Sequence, residues 1–225
     1  MLNLKERAAE AAVKHVKEGM VVGLGSGSTA SIAIKMIGEK VRDGMHIVGI
    51  PTSRDSEILG KSVGIKIGEL KDHPQVDVTI DGADEVDPKL NLVKGLGGAL
   101  VREKIVATAT TMEIIVVDDS KLVEYICQKS PLPVEIVRFA HEATVRRLER
   151  FGCVPKLRMW DGALYVTDNE NYIADCKFDR IDNPAKMESD LNLVPGVVDN
   201  GLFVGLAHKV VVASDRGIRI LEKKK

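Results

Sequence analysis

Apolar strands alternate with amphipathic helices through roughly the first half of the chain, and this alternation dictates an α/β fold, because parallel neighbours need a crossover that a helix supplies. Leu4, Ala8, Ala12 and Val16 recur every four residues among Lys and Glu, which predicts an amphipathic helix ending at Gly19. MVVGLG then reads as a short buried strand and GSGST as a turn. ASIAIKMIGEKVRDG reads as a helix with Ser28 or Thr29 at its N-cap and Gly44 after its end. HIVGI, IKIGEL, QVDVTI and EIIVVDDS continue as strands, separated by helices in SRDSEILGKSVG and over residues 98–110. In QVDVTI, Val76, Val78 and Ile80 alternate with Asp77 and Thr79, so the strand delivers Asp81 to its C-terminal end, the edge where open α/β sheets bind ligands.

The alternation stops at SPLPVEI, where Pro131 and Pro133 forbid continuous helix, and a domain junction is expected near residue 129. Strand 133–137, helix 138–150, strand 154–160, turn Asp161-Gly162, strands 163–167 and 171–178, helix 184–191 and strand 193–198 suggest a compact α+β unit. LFVGLA, KVVVAS and GIRILE are expected to return to the first sheet, and the three closing lysines read as a solvated tail. The expected fold is therefore a Rossmann-like, mostly parallel sheet with helices on both faces, made by residues 1–128 and 201–225 as the catalytic domain. A smaller ferredoxin-like α+β domain is expected over 129–200.

A chain of 225 residues, 44% of them hydrophobic, can bury a substantial core. Its 32 basic and 33 acidic side chains leave a formal charge of −1, which gives no footprint for nucleic acid or a membrane surface. Lys5, Glu6 and Arg7 interrupt any signal-peptide core, and no run approaches the length of a membrane span, so a cytoplasmic protein is expected. Cys127, Cys153 and Cys176 form no CxxC pair and read as reduced, buried thiols.

Two loops could hold an anion. In GLGSGSTA, a turn between strand and helix gathers backbone N–H groups with the hydroxyls of Ser26, Ser28 and Thr29 around Gly27, which suits phosphate. No Lys precedes Ser or Thr as in a Walker loop. Ser28 stands at the third glycine of the dinucleotide fingerprint, and the next strand ends in Pro51-Thr52-Ser53 without an acidic ribose ligand. A small phosphorylated metabolite fits better than NAD, and a tight packing turn without a ligand is the plain alternative. Thr52-Ser53-Arg54-Asp55 adds a second hydroxyl-rich loop at the same edge.

Residues 81–104, DGADEVDPKLNLVKGLGGALVREK, carry the chemistry. Asp81, Asp84, Glu85 and Asp87 crowd four carboxylates together, an arrangement for acid or base work through mutual repulsion, for a divalent metal, or merely for a solvated loop. The spacing does not fit an EF-hand, and the five histidines show no ligand-type pairing, so no metal is expected. Lys94 precedes Gly95, Leu96, Gly97 and Gly98, where backbone N–H groups and an ammonium can approach a developing oxyanion. Glu103 alone looks like a surface helix residue between Arg102 and Lys104. Lys121, after VVDDS, either neutralises a charge at the strand edge or faces solvent.

GLGSGSTA, TSRDSEILG, DGADEVDP, KGLGGALVREKIVA, DDSKLV and LPVEI occur in this order with a later DNGLF, and together they resemble the ribose-5-phosphate isomerases of type A over nearly the whole chain. Ser26 stands where the family more often has Thr, which keeps the hydroxyl, and TDNENYIADC matches the family's second domain more loosely. The resemblance implies interconversion of D-ribose 5-phosphate and D-ribulose 5-phosphate through an enediolate, without metal or organic cofactor. It implies Glu103 as the base between C2 and C1 and Asp81 as an aid to furanose opening, with Asp84 and Lys94 positioning hydroxyls and stabilising the oxyanion. Ser26, Gly27, Ser28, Thr29, Gly82, Ala83, Gly95, Leu96, Gly97 and Lys121 would bind substrate, in a homodimer or homotetramer. Two other readings are a sugar-phosphate sensor domain, which would need a helix-turn-helix that the single leading helix does not supply, and a CoA transferase of similar fold.

Overall fold

The computed structural model describes residues 3–223, so Lys224 and Lys225 of the expected tail lie outside the described residues. The chain divides into two compact units. One runs to Ala83 and takes in Arg102–Lys121 and the chain from Gly205 on, and the other comprises Asp84–Val101 and Leu122–Val204.

The first unit is built on a seven-stranded sheet in the spatial order Gly217–Glu222, Lys209–Ser214, Thr110–Asp118, Val76–Asp81, Val21–Leu24, Val48–Pro51, Lys66–Ile67. Every neighbouring pair is parallel except the last hairpin, Lys209–Ser214 with Gly217–Glu222. Counted along the chain within this sheet, the parallel strands stand in the order 3-2-1-4-5-6, the doubly wound arrangement whose switch point lies between the first and fourth strands. Val21–Leu24 and Val76–Asp81 are those two strands, and Leu24 pairs with Ile80 at their C-terminal ends. Ala8, Ala12 and Val13 of helix Leu4–Val13 and Ile34 and Ile37 of helix Ser28–Arg42 bury against Leu24, Ile80, Ile114 and Val211.

Two helix ends differ from expectation. Leu4–Val13, opened by an Asn3–Glu6 capping box, stops well short of Gly19. Beyond it, His15 and Val16 bond back only three residues, to Ala12 and Val13, so Val16 stays buried on a tightened turn that keeps the apolar spacing without the helix. Ser28–Arg42 is capped by Gly27, not by Ser28 or Thr29. Gly27 takes φ +91°, which a β-carbon would oppose, and both hydroxyl residues already lie in the first helical turn.

The second unit contains a four-stranded antiparallel sheet ordered Val197–Asn200, Leu132–Ile136, Tyr172–Lys177, Val154–Leu157, with helices His141–Leu148 and Pro184–Asn192. Its βαββαβ connection and 4-1-3-2 order are those of a ferredoxin-like plait. The expected strand over 154–160 breaks after Leu157, and Met159–Trp160 pairs with Ala163–Leu164 in a separate ribbon. Asp161 and Gly162 turn that ribbon with φ of +47° and +76°, the conformation Asp-Gly favours. The expected strand over 193–198 begins only at Val197, because the chain leaves the preceding helix through a turn at Gly196, φ +97°.

A third sheet, Leu202–Phe203, Leu92–Val93, Glu85–Val86, changes the organisation most. LFVGLA does not return to the first sheet. It pairs with Leu92–Val93, anchored where Lys94 N–H donates to Gly201 O at 2.9 Å and Gly201 N–H to Pro133 O at 2.7 Å. The same pairing carries Asp84–Val101, assigned on sequence to the catalytic domain, into the second unit.

Candidate functional site

At the switch point of the first unit, the glycine turn is built onto Asp81. Gly25 N–H donates to Ile80 O at 3.1 Å, and Asp81 Oδ1 accepts from Ser26 N–H at 2.9 Å and Gly82 N–H at 2.7 Å. Asp81 is buried, with 1% of its surface exposed, so those amides replace the water a carboxylate would otherwise hold. A β-carbon on Gly25 would lie 2.4 Å from Ile80 O and 2.5 Å from Asp81 Oδ1, so only glycine permits the approach. Ser26 Oγ joins Thr52 Oγ1 at 2.8 Å and Ser53 Oγ at 2.7 Å, which ties the two hydroxyl-rich loops together. Ser53 is also the N-cap of helix Arg54–Ser62.

The start of helix Ser28–Arg42 has no side-chain cap, and the N–H groups of Ser28, Thr29 and Ala30 make no hydrogen bond among the described residues. Such a terminus favours anions. Lys5, which sequence reasoning used only against a signal peptide and did not nominate for the site, donates from Nζ to Ser28 Oγ at 2.8 Å and sets an ammonium beside this turn. Lys121 ends the short turn Asp119–Lys121 after strand Thr110–Asp118, on the same C-terminal edge of the parallel sheet.

Glu103 is not a surface residue. It is 5% exposed in helix Leu100–Thr108, and Val106 and Ala107, one turn later on the same face, are buried with it while Ile105 is half exposed. Val106 packs with Ile50 and Val76. The helix thus turns a carboxylate inward and an isoleucine outward, the reverse of what packing alone selects.

In the second unit, Asp84 and Lys94 flank the other glycine turn. Asp84 N–H donates to Val93 O at 2.8 Å, and its Oδ2 accepts from Leu96 N–H at 2.9 Å. Lys94 is buried, with its ammonium 5.5 Å from the centroid of the Phe203 ring. Gly201 of DNGLF sits where a β-carbon would come within 2.3 Å of Lys94 O, so this motif packs the lysine's backbone. Gly95 and Gly98 take φ of +102° and +86°, and the Tyr165 hydroxyl fills the space a side chain on Gly98 would need.

The carboxylate cluster is not one electrostatic unit. Glu85, fully buried, accepts from Cys127 and Gln128 N–H through Oε2 and from Lys129 and Ser130 N–H through Oε1. Asp87 accepts from Lys89 N–H, Asn91 N–H and Asn91 Nδ2. Four donors on Glu85 and three on Asp87 give both a structural use, and Asp81 and Asp84 remain the candidates for chemistry. Among the described residues no group of three His, Cys, Asp or Glu side chains is placed to hold a metal ion. Arg158 also escaped sequence reasoning. Its Nη1 donates to Gly95 O and Leu96 O, each at 2.9 Å, while Nε and Nη2 grip both oxygens of Asp175. Arg158 lies in the break between Val154–Leu157 and Met159–Trp160, and its approach to Asp175 on strand Tyr172–Lys177 is not visible before the register is known.

A sequence model of the family described as Ribose 5-phosphate isomerase A (phosphoriboisomerase A) matches residues 48–217. A relative from Gloeobacter violaceus, named Ribose-5-phosphate isomerase A, is 50% identical over 219 residues, covering 97% of this chain and 95% of its own. Another so named, from Pyrococcus abyssi, is 45% identical with 98% of each chain covered. The structure of ribose 5-phosphate isomerase A from Methanocaldococcus jannaschii superposes with a TM-score of 0.94 at 39% identity, covering 98% of both chains. A D-ribose-5-phosphate isomerase solved in complex with phospho-erythronic acid gives 0.95 at 43% identity, covering 98% of this chain and all of that one. With its expected motifs placed at a doubly wound switch point and on a buried lysine turn, the chain belongs to the ribose 5-phosphate isomerase A family.

Proposed function

We propose that this protein interconverts D-ribose 5-phosphate and D-ribulose 5-phosphate with Glu103 as the base. The observation that carries the proposal is Glu103 itself, a carboxylate buried on the inward face of its helix within the segment that the family model matches. Asp81 assists opening of the furanose ring. Glu103 then takes the C2 proton of the open aldose, the electron pair moves into the C1–C2 bond, and negative charge gathers on O1. Lys94 and the amides of the 94–97 turn stabilise that oxyanion, Asp84 positions the hydroxyls, and Glu103 returns the proton to C1 as the O2 proton passes to O1. A positioned base contributes roughly 10²–10⁴ in rate. The oxyanion donors supply a share of roughly 10²–10³ per donor.

Phosphate binding is assigned to Ser26, Gly27, Ser28 and Thr29, supported by the uncapped helix terminus and the Lys5 ammonium. Gly82, Ala83 and Lys121 complete the substrate contacts. The relative solved with phospho-erythronic acid, a phosphorylated acid, supports a sugar-phosphate ligand. A cytoplasmic homodimer or homotetramer belongs to the same proposal: no described helix is long and apolar enough to cross a membrane, and Phe139 and Trp160 expose their rings.

Incubation with ribose 5-phosphate in heavy water, with chelator present, should place solvent deuterium on the sugar, and Glu103→Gln should abolish the exchange. Turnover retained by Glu103→Gln would remove that residue from the mechanism.

A further inference from the structure

Arg158 holds the glycine turn from behind. One guanidinium nitrogen bridges the carbonyls of two successive peptides, Gly95–Leu96 and Leu96–Gly97, while the rest of the group is fixed by Asp175. The Arg158 side chain is 12% exposed and that of Asp175 22%, so water competes weakly for the pair. In a trans peptide the carbonyl of one residue and the N–H of the next point in opposite directions in one plane. Among the described residues no peptide bond is cis, so fixing the two carbonyls also fixes where the N–H groups of Leu96 and Gly97 point, away from Arg158. The Leu96 N–H reaches Asp84 Oδ2, and the Gly97 N–H makes no hydrogen bond among the described residues.

We propose that Arg158 is a positioning residue for the isomerisation: by clamping the Gly95 and Leu96 carbonyls it aims the Leu96 N–H at Asp84 and presents the Gly97 N–H as an open donor to a substrate oxygen. The inference rests on the proposed use of the 94–97 turn and of Asp84 in catalysis. A cation on a carbonyl also polarises the peptide, so the N–H on its far side becomes a stronger donor as well as a fixed one. Glycine makes the clamp necessary. The Gly95 carbonyl also accepts from Gly98 N–H at 2.9 Å and the Leu96 N–H is held by Asp84, so the Leu96–Gly97 peptide, beside a Leu96 that is 40% exposed, is the plane that depends most on Arg158. Tyr165 stacks beside Arg158, with the guanidinium 5.7 Å from its ring centroid, and abuts Gly98, which confines the turn's far end.

Arg158→Ala should lower kcat by about 10²-fold, the usual consequence of a misplacement near 1 Å, with a smaller change in KM. Guanidinium chloride, well below denaturing concentration, should restore part of the loss in Arg158→Ala and none in Glu103→Gln. Arg158→Lys keeps the charge but cannot serve two carbonyls and Asp175 at once, so it should lie between wild type and Arg158→Ala. A wild-type kcat in folded Arg158→Ala, a defect confined to KM, or a loss that guanidinium leaves untouched would overturn the proposal. Should Arg158→Ala not fold, Arg158→Lys and Asp175→Asn decide, and unchanged kcat in both counts against it. Amide exchange of Leu96 provides a readout independent of turnover. It should accelerate in the variants, and an unchanged rate refutes the clamp even if the wild type proves inactive on ribose 5-phosphate, an outcome that would separately sink the functional reading.

Discussion

Gly25→Ala tests whether the glycine turn must touch Asp81. The new β-carbon would fall 2.4 Å from Ile80 O, 2.5 Å from Asp81 Cα and 2.5 Å from Asp81 Oδ1, whereas ordinary contact begins at 3.4 Å. Two of these neighbours are backbone of a central strand and cannot rotate away, so the turn itself must retreat by about 1 Å. That retreat would stretch the bond from Ser26 N–H to Asp81 Oδ1, now 2.9 Å, beyond hydrogen-bonding range. Overpacking of this kind costs roughly 1–3 kcal/mol. For a chain of this size that lowers Tm by roughly 2–12 °C. Displacing phosphate donors from the chemistry by such a distance should cost about 10²-fold in kcat/KM. The control for stability is Gly82→Ala, whose β-carbon would meet only Ser26 O, at 3.6 Å. Thermal unfolding and initial rates of ribulose 5-phosphate formation are the assays. If Gly25→Ala keeps wild-type kcat/KM and unfolds together with Gly82→Ala, the close approach has no energetic or catalytic meaning and the reasoning fails.

Glu85→Gln should destabilise the protein by roughly 2–6 kcal/mol in urea unfolding, because an amide NH₂ would face two of the four N–H groups that this fully buried carboxylate now satisfies. A loss under about 0.5 kcal/mol would show that water can replace the carboxylate there. Lys5→Ala, removing the exposed ammonium on Ser28, should raise KM roughly two- to fivefold with little change in kcat. The KM gap between variant and wild type should narrow as salt rises, and a gap that ignores ionic strength would contradict a charge-based role.

The parallel sheet was legible because each of its strands is a local apolar run closed by a turn, and Val76–Asp81 carries the strict alternation that forecasts Asp81 at its end. What escaped is non-local. Leu202–Phe203 has only two residues in its ladder, too short for a pattern, and its partner is decided by the bond between Lys94 N–H and Gly201 O across a hundred residues of chain. Ser28 and Thr29 looked like caps because their side chains suit the role, yet Gly27 has the φ that the entry into the helix demands. At the site, the glycine turns and Asp81, Asp84, Lys94 and Glu103 could be nominated from residue type. The burial of Glu103 could not, since VREKIVA offers Ile105 as the obvious inward residue and the fold exposes it. Nor could sequence separate Glu85 and Asp87 from the other carboxylates, because that distinction lies in which backbone amides each one meets.

The two units repeat one construction. In the first, the Asp81 carboxylate accepts the N–H of Ser26 in a glycine turn, and a cation, Lys5, attends that turn. In the second, the Asp84 carboxylate accepts the N–H of Leu96 in another glycine turn, and a cation, Arg158, attends it through the carbonyls. Each arrangement spends an amide on orienting a carboxylate and leaves neighbouring amides open, at Ser28 to Ala30 in one and at Gly97 in the other. Donors fixed before substrate arrives need no reorganisation when charge develops, which is the condition under which hydrogen bonds lower a barrier instead of merely holding a ligand. Glycine permits the approach but contributes no rigidity of its own, so in each turn the rigidity must come from the carboxylate on one side and the cation on the other. The cations should therefore differ in what they govern. Lys5, exposed and bonded to a hydroxyl, should tune affinity, whereas Arg158, sequestered and bonded to two peptide carbonyls, should set the geometry on which kcat depends.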